Sequence, residues 1–164
     1  MISKELLNYL HILKTTKNNM NYPITIDHSV EIRVRYAETD KMGIVYNGEY
    51  LTYFEVSRVD MMRHIGLPYP ELENNGYQLP LVESYVKYKS PAYFDDLLQV
   101  KAHLEFIPAP TMRIKYNIFR GNTIISTGYT VHSFFNSKLQ KPVKPPRVFI
   151  DALINYVKRN GGKF

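Results

Sequence analysis

The sequence predicts an α+β domain in which a mainly antiparallel sheet packs on one central helix. Three observations carry that prediction: an alternating run that starts at Val30, a long glycine-poor and proline-free run after Asn47, and four later segments that read as strands between turn signals. At 164 residues the chain fits a single domain with its own core, whereas two domains would be cramped.

The elements follow in order. Leu6, Leu7, Leu10 and Leu13 form a short helical pattern that runs into the polar stretch "KTTKNN", so residues 1–27 are expected to be an extension, with Met20 a second candidate start, and residues 28–164 the domain. Val30, Ile32, Val34 and Tyr36 alternate with Glu31, Arg33 and Arg35, the period of a half-buried strand. After the loop "YAETDKMGIVY", the run "NGEYLTYFEVSRVDMMRHIG" supports about five helical turns and stops at Gly66 and Pro68. Apolar residues fall on more than one of its sides, which predicts a largely buried helix with a sheet around it.

That sheet is supplied by "YQLPLVESYVKYK", "LLQVKAHLEFI", "TMRIKYNIF" and "TIISTGYTVHSFFN", separated by "SPAYFDD", "PAP" and "RGN". The alternation is cleanest in the second, with Leu98, Val100, Ala102, Leu104 and Phe106 on one face. Gln99, Lys101, His103 and Glu105 take the other. A terminal helix, "RVFIDALINYVKR", closes the domain with Phe149, Leu153 and Tyr156 or Val157 on one side.

Composition removes several kinds of chemistry. Without cysteine there are no disulfides, thiolate nucleophiles or cysteine-ligated metals. His11, His28, His64, His103 and His132 show no ligand spacing, so no metal and no cofactor are expected. No run approaches a membrane span, and the first residues lack a signal-peptide pattern, which places the protein in the cytoplasm. The net charge of +6 favours an anionic partner. Its basic residues are spread out, densest at Lys138, Lys141, Lys144 and Arg147 in a proline-rich connector, which argues against nucleic acid.

Serine-hydrolase elbows, phosphate loops, zinc helices and dinucleotide fingerprints are all absent. What remains is the junction of the loop and the long helix. The first amides of a helix are unpaired and carry partial positive charge, so those near Asn47 and Gly48 can hold a carbonyl oxygen that becomes negative; Asn47 is also a good N-cap. Asp40, seven residues upstream, can bring a carboxylate beside that point. From residue type alone Glu38 is an equal candidate, Glu55 and Arg58 read as an intrahelical ion pair, and "PAYFDD" reads as a turn.

The run "RVRYAETDKMGIVYNGEYLTYFEVSR" resembles the signature of hot-dog-fold acyl-CoA thioesterases of the 4-hydroxybenzoyl-CoA thioesterase-like group, and "KSPAYFDDLLQV" resembles that group's second motif. The resemblance implies a curved antiparallel sheet around a long central helix, a dimer or tetramer with sites between subunits, and an acyl-CoA or acyl carrier protein substrate. It implies that Asp40 is the catalytic carboxylate and that the N–H of Asn47 polarises the thioester carbonyl. Gly43, Tyr46 and Gly48 would shape the site, and Glu55 would face the acyl pocket. Many members carry His where this chain has Asn47, so a titrating imidazole is lost while backbone polarisation survives. The alternatives are a 3-hydroxyacyl thioester hydratase or dehydratase and a non-catalytic acyl-CoA-binding module.

Overall fold

The computed structural model describes residues 23–161. The helical pattern from Leu6 to Leu13 lies outside the described residues. Strand β1, Ile24–Arg33, pairs antiparallel with β4, Leu97–Phe106, from Ile24 opposite Phe106 onwards. The sheet therefore starts four residues before the expected boundary at residue 28, because Ile24 and Ile26 are buried and continue the alternation upstream.

Strands β5, Thr111–Arg120, and β6, Thr123–Ser133, continue the meander, and β3, Leu81–Tyr88, joins beyond β6 to give a five-stranded antiparallel sheet in the order β1-β4-β5-β6-β3. Helix α1, Glu49–His64, lies on its concave face. This is the hot-dog architecture, a curved sheet around one long helix. The inward face of β4 is as expected, with Leu98, Val100, Ala102, Leu104 and Phe106 all buried.

Helix and sheet lock at one close approach. Phe54 of α1 stacks flat on Tyr116 at 4.3 Å and presses on Gly128, where an added Cβ would stand 2.2 Å from the Tyr85 carbonyl oxygen and 2.8 Å from the Phe54 ring. Tyr53, Phe54, Met61 and Met62 are buried, each of the apolar ones contributing about 1.5–3 kcal/mol by leaving water. Helix α1 is not covered all round, however. Leu51, Glu55 and Val56 are exposed, because the sheet wraps only one side.

Three further expectations are corrected. Tyr36 does not continue the inward face of β1; the strand ends at Arg33, a 3-10 turn takes Tyr36–Glu38, and Tyr36 is 77% exposed, edge-on to Phe94. The segment from Tyr77 is not one strand, because Pro80 has no N–H to donate. It divides into β2, Tyr77–Gln78, and β3; β2 joins β7, Phe135–Asn136, and β8, Lys141–Pro142, in a small second sheet. The connector around Lys141 thus holds a strand, and a short helix α2, Tyr69–Asn74, follows Pro68. Helix α3, Arg147–Arg159, has the expected bounds, and its Phe149 meets Phe106 and Phe134 edge-on to plug one end of the core.

Candidate active site

The loop between β1 and α1 is a tight turn, closed by Asp40 N–H donating to the Ile44 carbonyl and Gly43 N–H donating to the Asp40 carbonyl, each at 2.9 Å. Gly43 takes φ +76°, the left-handed conformation that a glycine adopts without penalty. Inside the turn the Asp40 Oδ1 accepts the Met42 N–H at 2.8 Å, which fixes the carboxylate; Oδ2 has no hydrogen-bond partner among the described residues.

The outgoing limb is stitched to the "PAYFDD" segment. Val45 N–H donates to the Ala92 carbonyl at 2.8 Å, and Ile44 bridges Tyr93. The paired aspartates of that segment are structural. Asp96 accepts the Tyr93 N–H at 2.8 Å and pairs with Arg120 at 2.6 Å, while Asp95, at φ +66°, pairs with Arg33.

At the head of α1 the expected cap is corrected. The N-cap position is Gly48, already in helical conformation, and no side chain caps it. The chain enters through a turn in which Glu49 N–H donates to the Tyr46 carbonyl at 3.0 Å, and the Tyr88 hydroxyl donates to the Asn47 carbonyl at 3.0 Å. The Asn47 side chain is consequently not needed for capping. Neither the Asn47 nor the Gly48 N–H has a hydrogen-bond acceptor among the described residues.

Asp40 and Asn47 line one cleft of about 730 Å³. Met42, Ile44, Val45, Tyr46 and Tyr50 supply an apolar and aromatic wall, and Tyr88, Lys89, Ser90 and Pro91 the opposite rim. Gly43 and Gly48 shape the backbone at the two ends of the loop; a side chain at Gly48 would meet the Tyr46 ring at 2.9 Å. Burial raises the Tyr50 hydroxyl above its ordinary range, with Tyr88 adding to the effect. Glu55 is not brought to this cleft. It lies about two turns further along α1, its side chain 66% exposed and 4.0 Å from Arg58 Nη2.

Sequence reasoning missed Tyr50, Tyr88, Ser90 and Pro91. The last two stand at the start of the second motif, whose pairing with the Asp40 loop was the available signal; Tyr50 and Tyr88 gave none, because their place depends on how helix and sheet face each other.

Glu38, the rival carboxylate, is buried at 4% exposure and does not line the cleft. Burial alone would raise its pKa, but the Arg35 N–H, the Tyr53 hydroxyl and the Arg35 guanidinium together hold it below the usual carboxylate range. Tyr53 is pushed far above the usual phenol range by burial and by that carboxylate.

A curved sheet on one helix, with a loop carboxylate at the helix N-terminus, defines a thioesterase-like hot-dog protein. The chain matches the model of the thioesterase-like superfamily over residues 34–153 and belongs to that family. YneP of Bacillus subtilis, provisionally named an acyl-CoA thioesterase, is 32% identical over 129 residues, 78% of this chain and 94% of its own. The crystal structure of a DHNA-CoA thioesterase from Staphylococcus aureus superposes with TM-score 0.74 at 33% identity, covering 82% of this chain and 91% of that one. A hypothetical protein, TT1821, from Thermus thermophilus gives TM-score 0.73 at 31% identity, over 77% of this chain and 97% of its own.

Proposed function

We propose that this protein hydrolyses acyl-CoA thioesters to the free acid and CoA, with Asp40 as the catalytic carboxylate. The observation that carries the reading is the shared, largely apolar cleft lined by Asp40 and Asn47, whose Oδ2 and backbone N–H have no hydrogen-bond partner among the described residues. A thioester carbonyl seated there points its oxygen at the helix N-terminus, where the N–H and the helix dipole stabilise the oxyanion of the tetrahedral intermediate. Asp40 either takes a proton from a water that attacks the carbonyl carbon or attacks it directly as a mixed anhydride that water then opens. In both routes the C–S bond breaks, CoA leaves as the thiol after protonation, and the acid is released.

The apolar wall of Met42, Ile44, Tyr46 and Tyr50 suits the acyl group, and Lys89 is the cation at the rim suited to the CoA phosphates. Lys87 and Arg113, cations on β3 and β5, do not line the cleft; Arg113 sits over the Tyr129 ring at 4.3 Å. A homo-oligomer fits the edge position of β3 in the sheet, where Leu81, Val82 and Tyr88 are each at least half exposed. No described helix is long and apolar enough to cross a membrane, and a cytoplasmic enzyme acting on CoA or acyl carrier protein conjugates is the setting we favour.

Asp40→Ala is the test. A folded variant is expected to lose turnover of a good acyl-CoA by about 100-fold or more, read as thiol release over a panel of acyl chains. Wild-type rates in that variant would overturn the assignment. Hydration of crotonyl-CoA by the wild type would favour the hydratase reading, against which Asn47 stands in the place of an imidazole.

A further inference from the structure

Two residues before Asp40, the Glu38 carboxylate gathers four contacts from two parts of the chain. Oε2 accepts the Arg35 N–H at 2.9 Å and the Tyr53 hydroxyl at 2.8 Å; Oε1 accepts Arg35 Nε at 2.8 Å and lies 2.8 Å from Arg35 Nη2. Its backbone carbonyl accepts the Tyr46 N–H, also at 2.8 Å. One residue therefore ties the exit of β1, the buried flank of α1 and the outgoing limb of the loop to each other. Asp40 lies between Glu38 and Tyr46, and Asn47 directly follows Tyr46.

A surface loop does not need such a device. Burying an ionised carboxylate costs several kcal/mol unless its lone pairs are satisfied, and here they are. An apolar residue would fill the same space more cheaply. A glutamine would turn an NH₂ group either towards Arg35 Nε and Nη2 or towards the Arg35 N–H, all of which can only donate. The donor set thus calls for an acceptor on both oxygens, which only the ionised acid provides.

We infer that Glu38 is a positioning residue, anchored on Tyr53, that sets the distance and orientation between the Asp40 carboxylate and the Asn47 N–H. This rests on the reading of Asp40 as the catalytic carboxylate. Misplacing a reacting group by about 1 Å costs on the order of 100-fold in rate, so the effect belongs in kcat rather than KM.

The test measures kcat and KM on one acyl-CoA for wild type, Glu38→Gln, Tyr53→Phe and Asp40→Ala, and for Glu38→Gln and Tyr53→Phe each combined with Asp40→Ala, with thermal unfolding of each. Glu38→Gln is expected to lower kcat by about 30-fold or more and Tyr53→Phe by about 10-fold, with KM within about 3-fold of wild type. In the Asp40→Ala background neither change lowers the residual rate further, because both act through Asp40. Wild-type kcat in both variants, or an equal additional loss without Asp40, would overturn the inference. If Glu38→Gln does not fold, Tyr53→Phe decides alone, since it removes one hydroxyl and keeps the ring. Full turnover in Asp40→Ala would instead bring down the underlying reading.

Discussion

Two polar clusters meet the central helix, and they are finished differently. At the head of α1 the Asp40 loop keeps Oδ2 and two backbone N–H groups without partners among the described residues, beside a cleft of about 730 Å³. Further along, where α1 faces β5 and β6, three side chains satisfy one another, although Arg58 Nη1 stays buried without a hydrogen-bond partner among the described residues. His132 Nδ1 donates to the Leu79 carbonyl at 3.0 Å, Nε2 receives the Thr130 hydroxyl at 2.9 Å, and Thr130 Oγ1 in turn receives the Tyr116 hydroxyl at 3.0 Å. Because a carbonyl can only accept, the proton sits on Nδ1 and the chain runs in one direction. Burial and the nearby Arg58 guanidinium then keep His132 neutral, with its pKa lowered to about 4, and burial pushes Tyr116 up to about 12. Unspent hydrogen-bonding capacity beside a cleft marks chemistry, and spent capacity in the interior marks structure.

The largest expected effect tests the open cluster at its backbone. Asn47→Pro removes the N–H at the second position of the turn closed by Glu49 N–H and the Tyr46 carbonyl, where proline is favoured, so the fold should survive. Loss of one oxyanion donor is expected to lower kcat by about 100-fold, and a rate within about 3-fold of wild type would remove the Asn47 N–H from the mechanism.

Next in size is the contact on which both clusters depend, the approach of α1 to the sheet at Gly128. Gly128→Ala forces a methyl against the Tyr85 carbonyl and the Phe54 ring, and relief requires moving backbone. A loss of about 3 kcal/mol is expected in urea unfolding, at the top of the range for overpacking. Less than about 1 kcal/mol would mean that β3 moves aside freely.

The buried cluster is tested by acid. His132 binds its proton more weakly folded than unfolded, from an ordinary value of 6.5 down to about 4. Its contribution is therefore intact above about pH 6.5 and is lost as pH falls towards 4, by about 3 kcal/mol in all. His132→Gln, which can still donate to Leu79 and accept from Thr130, should flatten the slope of stability against pH across that window. An unchanged slope would place the acid sensitivity elsewhere, as at Asp60, whose pKa is lowered by its hydrogen bond from His28.

This difference between clusters also explains what could be read from the chain. Leu98 to Phe106 were legible because one buried face imposes a strict period of two, and the family because two separated motifs resemble it. Tyr36 was misplaced because alternation does not announce where a strand ends. Glu55 was expected at the pocket, but which flank of α1 the sheet covers is a tertiary property. The contact of Glu38 with Tyr53 spans 15 residues and leaves no periodic trace. Helix α2 is only six residues long, too short for periodicity to stand out.

The smallest effect sharpens the comparison most, because it separates side chain from backbone at one position. Asn47→Ala deletes an exposed amide side chain with no hydrogen bond among the described residues, and keeps the backbone N–H of a cleft-lining residue. If the carbonyl is polarised by the backbone, kcat/KM should stay within about 3-fold of wild type, less than about 0.7 kcal/mol, while Asn47→Pro falls far below. Equal losses in the two variants would assign the role to the side chain. The pair of substitutions thus asks whether replacing the imidazole of many relatives by an amide changed the chemistry or left it to the group that every residue but proline carries.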